Sequence, residues 1–569
     1  MFPNALNTIR RKSANDLFAA AGSLLLPCVV AMFARLAVLG RPPFTDDGWY
    51  ASVAWFARLG EAPIAHSPIG AYPRLLAWVF GVTENPMLWF RVIDGLFAVA
   101  AAAVIYLLLR CLAGACGGDA LQDKRADRRP SLAIAPDTVG TTVSPKGGKP
   151  RCFLPCAIAC LWTLATNHPK FVDGGFKNQI TAATVFLCAS LIVLCVRRAP
   201  RRPLAYGLAA GVLAALACLT RETFAPFAAV VAIACIARLG ARGLGTFVLG
   251  GAITGLVSLS IIAGGPAQLL EFLGQWNDAA AALANFSSIM GRPWATVWLD
   301  SAQQAWRAGG WTLPLIAAGV FTSAYRAQHT MLHAIAPYRL PISPYRLAPL
   351  LGFALILAPL PEMLLKLAFP YHFAQFLLGG AVLCVSLGDV ENIDSRRHRI
   401  AAIIGLGGAV LLAVWPAKAA IAYAAEGWRE SRRWWPVMVL GEHRADLIRD
   451  SFYLRLTDSL IRAGRPNDRA LISGFYFGPL ALSRTRPASG AAADATFLTC
   501  TPPGAGRDAA IQLSRQAKPR IIIESGRIKT NIREFIPDFP DNYTLFEELK
   551  PGSYTSYSPY DAKVWVRND

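Results

Sequence analysis

The sequence predicts an α-helical polytopic membrane protein with about eleven transmembrane helices and a small soluble α/β domain at its C-terminus. Three observations predict it. The chain is 54% hydrophobic and 16% charged, against about 25% charged residues in ordinary soluble domains, so it has too little polar surface to cover a soluble globule. Apolar runs approaching the length needed to cross hydrocarbon recur through its first three quarters. After Ala424 they stop, and short β-branched runs take their place.

The runs fall near 17–39, 92–110, 152–166, 180–196, 204–219, 223–240, 243–264, 311–324, 347–368, 373–389 and 400–422. The first follows Arg10, Arg11 and Lys12 with no small-residue cleavage site before Arg41, which reads as a retained helix rather than a removed signal peptide. Two of the runs, 152–166 and 204–219, are short enough for a re-entrant pair to stand as an alternative. Most of the twelve cysteines lie in or beside these runs, where cysteine acts as a small hydrophobe. Cys152, Cys156 and Cys160 have no histidine nearby and read as packing residues, and Cys500 is alone in the C-terminal domain.

The formal net charge of +20 would suggest a nucleic-acid partner in a soluble protein. Here the basic residues sit in clusters between apolar runs: Arg10 to Lys12, Lys124 to Arg129 with Lys146 to Arg151, Arg197 to Arg202, Arg238 with Arg242, Arg326 to Arg346, and Arg396 to Arg399. Alternating helices bring every cluster to one side, which the positive-inside rule makes cytoplasmic. Nucleic acid is therefore not expected as a partner. The N-terminus is expected in the cytoplasm and everything after Ala424 outside. High Ala, Arg and Gly usage and the lack of organelle signals point to a bacterial inner membrane, with the C-terminal domain periplasmic.

Residues 114–150 are rich in Gly, Asp, Lys, Arg and Pro without periodicity and read as a disordered cytoplasmic insert. The expected division is a transmembrane domain over 1–423 and a soluble domain over 424–569. In the latter, Ala470 to Ser473 and Arg520 to Ile523 read as strands and Asp508 to Ala517 as a helix.

The outer loops hold the candidate chemistry. The first opens with Phe44-Thr45-Asp46-Asp47-Gly48-Trp49-Tyr50 and continues to His66-Ser67-Pro68 and Tyr72-Pro73-Arg74. Adjacent carboxylates repel, which raises one pKa toward that of a general base, and together they suit a divalent cation. The alternative is a solvated loop end with aromatic anchors. Thr220-Arg221-Glu222-Thr223 sets charges between two apolar runs, where Arg221 either pins a phosphate or pairs locally with Glu222. Pro361-Glu362 leads through Lys366 to Phe369-Pro370-Tyr371-His372-Phe373, a Lys and a His beside aromatic rings that suit a lipid phosphate. A snorkelling Lys366 and a structurally satisfied His372 are the alternative.

Taken in order, Asp46-Asp47, His66-Ser67-Pro68, Arg91, the Gly207 to Thr220 run before Arg221, and Tyr371-His372-Phe373 resemble the GT-C superfamily of polyprenyl-phosphate-sugar-dependent glycosyltransferases. The branch most similar contains the protein O-mannosyltransferases and the lipid A aminoarabinose transferase. In the C-terminal domain, Ser473-Gly474-Phe475-Tyr476 to Arg486 and Lys518 to Ile522 fit the same pattern. The family often shows Asp-Glu where Asp46-Asp47 stands, Lys where Arg221 stands, and His-Tyr-Phe where this chain has Tyr371-His372-Phe373.

The resemblance implies an inverting glycosyltransferase that moves a sugar from a polyprenyl-phosphate donor to an acceptor glycan, lipid or protein on the outer face. It implies Asp46 or Asp47 as catalytic base, with or without a divalent cation held between them, and Arg221, Lys366 and His372 as clamps on the departing phosphate. His66, Arg74, Glu222 and Tyr371 complete the expected substrate-binding set. A transporter or flippase for a lipid-linked sugar and a non-catalytic scaffold are the alternatives. A transporter is expected to carry charges in both halves of the membrane and an internal repeat, and neither is visible in the sequence.

Overall fold

The computed structural model describes residues 14–42, 45–60, 74–126, 153–168, 171, 178–195, 203–270, 272–274, 294–334, 344–365, 370–387, 396–465, 467–474, 477–488, 495, 499, 503–526, 530–551 and 561–568. Each apolar run read from the sequence carries helix in its described part: α1 Ala14–Leu39, α2 Thr45–Arg58 in the first loop, α3 Pro86–Ala126, α4 Phe153–Thr166, α5 Asn178–Cys195, α6 Pro203–Thr220 and α7 Ala225–Ala263. Then follow α8 Trp294–Gly309, α9 Leu313–Ala334, α10 Pro344–Leu357, α11 Leu360–Leu365, the single turn α12 Pro370–Phe373, α13 Phe376–Cys384 and α14 Arg396–Met438. Among the described residues, Ala21–Leu39, Pro86–Ala113, Pro203–Thr220, Glu222–Ala263, Leu347–Leu364 and Ile403–Met438 are long and apolar enough to cross a membrane. Phe153–Thr166, Gln179–Cys195 and Phe376–Leu387 are shorter apolar helices.

Glycine governs how these helices pack. In α7, Gly240 has φ 71° and ψ −170°, a conformation that essentially only glycine adopts without strain, so the long stretch is two helices joined at a break, as the two runs 223–240 and 243–264 predict. Its second half lies against α6 at backbone contact: a Cβ on Gly211 would stand 2.0 Å from the carbonyl oxygen of Phe247, and one on Gly250 2.5 Å from that of Leu208. A Cβ on Gly379 of α13 would likewise meet Gly352 O of α10 at 2.7 Å. In lipid, where burial of apolar surface gives no net drive, such close approach supplies the dispersion energy that holds helices together.

Polar side chains lock the helix ends. Arg35 of α1 and Asp94 of α3 form a buried ion pair at 2.8 Å. Arg91 donates to the carbonyl of Leu39 at 2.9 Å and to that of Arg41, satisfying the open end of α1. The Asn85-Pro86 step starts α3: Asn85 Oδ1 accepts from the Leu88 amide at 3.2 Å, proline occupies the first helical position, and Asn85 Nδ2 donates to Met438 O at 2.8 Å. At the opposite end of the bundle, buried Arg238 donates to Leu194 O near the end of α5 at 3.1 Å.

Two stretches differ from the sequence expectation in extent. The backbone of α3 stays helical to Ala126, within the stretch expected to be disordered, and 127–152 lie outside the described residues. Residue 424 falls inside α14, which continues to Met438 with Trp434 fully buried.

Beyond α14 lie α15 Phe452–Ala463, α16 Phe477–Leu482, α17 Ala505–Ala517 and strands β1 Arg469–Ile472, β2 Arg486–Pro487, β3 Ile521–Ser525, β4 Tyr543–Leu549 and β5 Ala562–Arg567. The sheet order is β2-β1-β3-β5-β4, parallel across β2-β1-β3 and antiparallel across β3-β5-β4. Alternation divides the strands between two cores: Ala470, Ile472, Ile521 and Ile523 pack under Leu456 and Leu460 of α15, while Leu471 and Ile522 pack with Ala510 and Ile511 of α17. This is the small α/β unit that the β-branched runs predict.

Candidate functional site

Proline and a helix break bring three distant segments of chain together. After α6 the backbone turns extended at Arg221, with φ −152° and ψ 115°, before the 3-10 turn Glu222–Phe224 and α7. Pro359 falls between α10 and the short α11, whose first turn holds Pro361, since proline removes a backbone donor from a continuing helix, and α11 carries Glu362. Pro370 opens the single turn that carries His372, and Gln375 precedes α13.

At their junction Arg221 Nη2 donates to Glu362 Oε1 at 2.6 Å, and His372 Nε2 lies 3.1 Å from the same oxygen. Gln375 Nε2 donates to Glu362 Oε2 at 2.9 Å, while Arg221 Nε donates to Thr223 Oγ1 at 2.9 Å. Arg221 Nη2 and His372 Nε2 stand 3.2 Å apart. All four principal members are buried, at 8%, 5%, 3% and 4% exposure for Arg221, Glu362, His372 and Gln375. A carboxylate so enclosed needs these partners, because desolvation of an unpaired charge costs several kcal/mol (about, per ion). The carboxylate orders the guanidinium and the imidazole side by side; one negative charge offsets one positive charge, and protonation of His372 makes the cluster cationic.

Gln375 also lines a cavity with Arg35, Asn167, Thr181, Thr184 and Phe224. These residues come from the ends of α1, α4, α5 and α7, so the cluster, the Arg35–Asp94 pair and the cavity occupy the same end of the bundle. Arg238 marks the other end, among the basic clusters. The backbone of α2 lies at the first end too, since Ala51 and Ala54 pack with Phe90 of α3 and Trp434 of α14.

Sequence reasoning selected Arg221 and His372, and the structure brings them together. Asp46 and Asp47 lie in the first turn of α2, with side chains outside the described residues, as is the side chain of Tyr371. His66 and Lys366 lie outside the described residues altogether. Glu222 is half-buried at the start of the 3-10 turn. Arg74 donates to the carbonyl of Ile262 at 2.8 Å and lies over the Phe272 ring, and burial lowers its pKa. These contacts secure the end of α7. Glu362 and Gln375 are the members that sequence reasoning did not pair with Arg221. A lone acid within an apolar run was the signal for Glu362; Gln375 gave none. Among the described residues there is no group of three or more His, Cys, Asp or Glu side chains placed to hold a metal ion.

No protein-family model matches the chain, and no curated protein matches it. Among solved structures, it is similar to the crystal structure of the Archaeoglobus fulgidus oligosaccharyltransferase in complex with Zn and sulfate. The identity is 14% and the TM-score 0.47, over 88% of this chain and 67% of that one. The likeness is distant in both sequence and superposition.

Proposed function

We propose that this chain is an integral membrane glycosyltransferase of the GT-C type that takes a sugar from a polyprenyl-phosphate donor and passes it to an acceptor at the outer face of a bacterial inner membrane. The observation that carries the reading is the buried Arg221–Glu362–His372–Gln375 cluster at the end of the bundle where α2 brings Asp46 and Asp47. A lipid-phosphate sugar has an apolar tail, an anionic leaving group and a sugar that must meet a water-borne acceptor. A bundle that carries a guanidinium and an imidazole side by side at one end, with a soluble domain beyond it, suits all three.

In this reading one carboxylate of the Asp46-Asp47 pair takes the acceptor proton as the acceptor oxygen attacks the anomeric carbon. The bond to the donor phosphate breaks with inversion, and Arg221 and His372, joined by Lys366, meet the charge that develops on the departing phosphate. Glu362 holds the guanidinium and the imidazole in register, and Gln375 holds Glu362. His66, Arg74, Glu222 and Tyr371 belong to the wider substrate-binding surface of the proposal. The acidic pair also suits a divalent cation, which would bind the phosphate and make transfer sensitive to EDTA.

Membranes containing the protein, supplied with a panel of labelled polyprenyl-phosphate sugars, are expected to transfer label and to release one polyprenyl phosphate per sugar moved. The Asp46→Asn, Asp47→Asn double variant, expressed and folded normally, is expected to lose at least about a hundredfold in rate. Unchanged transfer by that variant removes the pair from the mechanism. Movement of the intact lipid across the bilayer without release of polyprenyl phosphate replaces the transferase with a flippase.

A further inference from the structure

The helix that carries the acidic pair is held by the C-terminal unit. Gly48 of α2, the residue after Asp47, crosses Gly478 of α16 so closely that a Cβ on Gly48 would stand 2.4 Å from the Gly478 Cα and 2.7 Å from its nitrogen. In the reverse sense a Cβ on Gly478 would stand 2.8 Å from the Gly48 Cα. Contact at that distance is open only to a pair of glycines, and neither backbone can withdraw without moving its helix.

Further along α2 the grip is polar and then apolar. Trp55 Nε1 donates to the carbonyl of Thr485 at 3.0 Å, just beyond α16, while its ring packs on Phe80 at 5.2 Å. Phe56, 2% exposed, lies within the core of the C-terminal unit, with Phe452, Tyr453, Leu456 and Leu480. The other face of α2 rests on the bundle through Ala51 and Ala54, beside Met87, Phe90 and Trp434. Arg484 Nη2 closes the junction on the carbonyl of Thr83 at 3.0 Å. Thus α2 is wedged between the two units and has a side chain in the core of one of them.

We propose that the C-terminal unit is a positioning part of the transfer site, with Gly48, Gly478 and Trp55 as positioning residues that fix where the first turn of α2 presents Asp46 and Asp47. The proposal rests on the role given above to that pair. Its physical basis is that a general base delivers its effect only within hydrogen-bond reach of the acceptor proton. A displacement of about 1 Å costs up to about a hundredfold in rate. The C-terminal unit touches neither the donor nor Arg221 in this account, so its effect falls on the chemical step and not on donor affinity.

The test uses the full chain with Gly478→Ala and, as a milder change that keeps the ring on Phe80, Trp55→Phe. Two quantities are read: the kcat and donor KM of sugar transfer, and amide hydrogen exchange over 45–58. In Gly478→Ala, exchange over 45–58 is expected to quicken about tenfold while α5 and α6 are unchanged. Its kcat is expected to fall by about tenfold or more at a donor KM within about twofold of wild type. Trp55→Phe should move both quantities in the same direction by about threefold. Unaltered exchange over 45–58 in both variants overturns the coupling, and faster exchange at unchanged kcat overturns the positioning role. Should the wild type transfer no sugar from any donor, the transferase reading fails and the positioning role with it, whereas the exchange result still decides whether the C-terminal unit holds α2.

Discussion

Arg221→Met is expected to destabilise the folded bundle by about 3–5 kcal/mol, because it leaves the buried Glu362 carboxylate without its guanidinium. His372 Nε2 at 3.1 Å and Gln375 at 2.9 Å remain as partners, and neither supplies a permanent charge. Glu362→Gln on its own is expected to cost a similar amount by stranding Arg221, which is only 8% exposed. The double variant Arg221→Met, Glu362→Gln removes both charges, and most of the lost stability is expected to return, since a buried ion pair contributes little over a well-packed neutral replacement. Thermal unfolding of the detergent-purified protein measures all three. Loss in the double variant as large as the sum of the singles would mean that the pair is not coupled as its 2.6 Å contact indicates. Recovery of folding separates structure from chemistry: the double variant folds and yet lacks the guanidinium that the proposed reaction requires.

The second large effect concerns helix contact. Gly211→Leu is expected to abolish accumulation of folded protein, or to lower its stability by about 3 kcal/mol or more. Even the first side-chain carbon would lie 2.0 Å from Phe247 O and 2.8 Å from its carbonyl carbon, so no rotamer avoids the clash and α6 must part from the second half of α7. By contrast a Cβ on Gly255 meets nothing within 4 Å. Gly255→Ala, in the second half of α7, is therefore expected to accumulate as wild type. Equal accumulation of Gly211→Leu and Gly255→Ala would contradict the packing described for α6 and α7.

The helices were legible because hydrocarbon imposes a length and a composition on any segment that crosses it, and those constraints are local in sequence. The gathering of Arg221 and His372 at one end was legible for the same reason, since both follow from alternation along the chain. Pairing was not legible. Arg221 and Glu362 are separated by 141 positions, and nothing in the spacing of either segment specifies that the two side chains meet. The Arg35–Asp94 pair is hidden in the same way, as each charge sits in an otherwise apolar run.

The end of α14 shows a different limit. Glu426, Arg429, Glu430, Arg432 and Arg433 mark where the apolar run ends, but polarity ends the run and not the helix. The helix goes on because Ser431 accepts the Gly40 amide at 2.9 Å and Trp434 is enclosed beside α2 and α3. The docking of α2 under the C-terminal unit depends on two glycines that look unremarkable in sequence and matter only because they face each other.

The most direct measurement is binding of undecaprenyl phosphate to the purified full-length protein, wild type against the folded Arg221→Met, Glu362→Gln double variant. The account predicts saturable binding by the wild type that weakens by at least about tenfold in the double variant, the loss expected on removing one charge-assisted contact to a phosphate. Equal affinity in the two proteins would contradict it, and would detach the buried cluster from the donor phosphate.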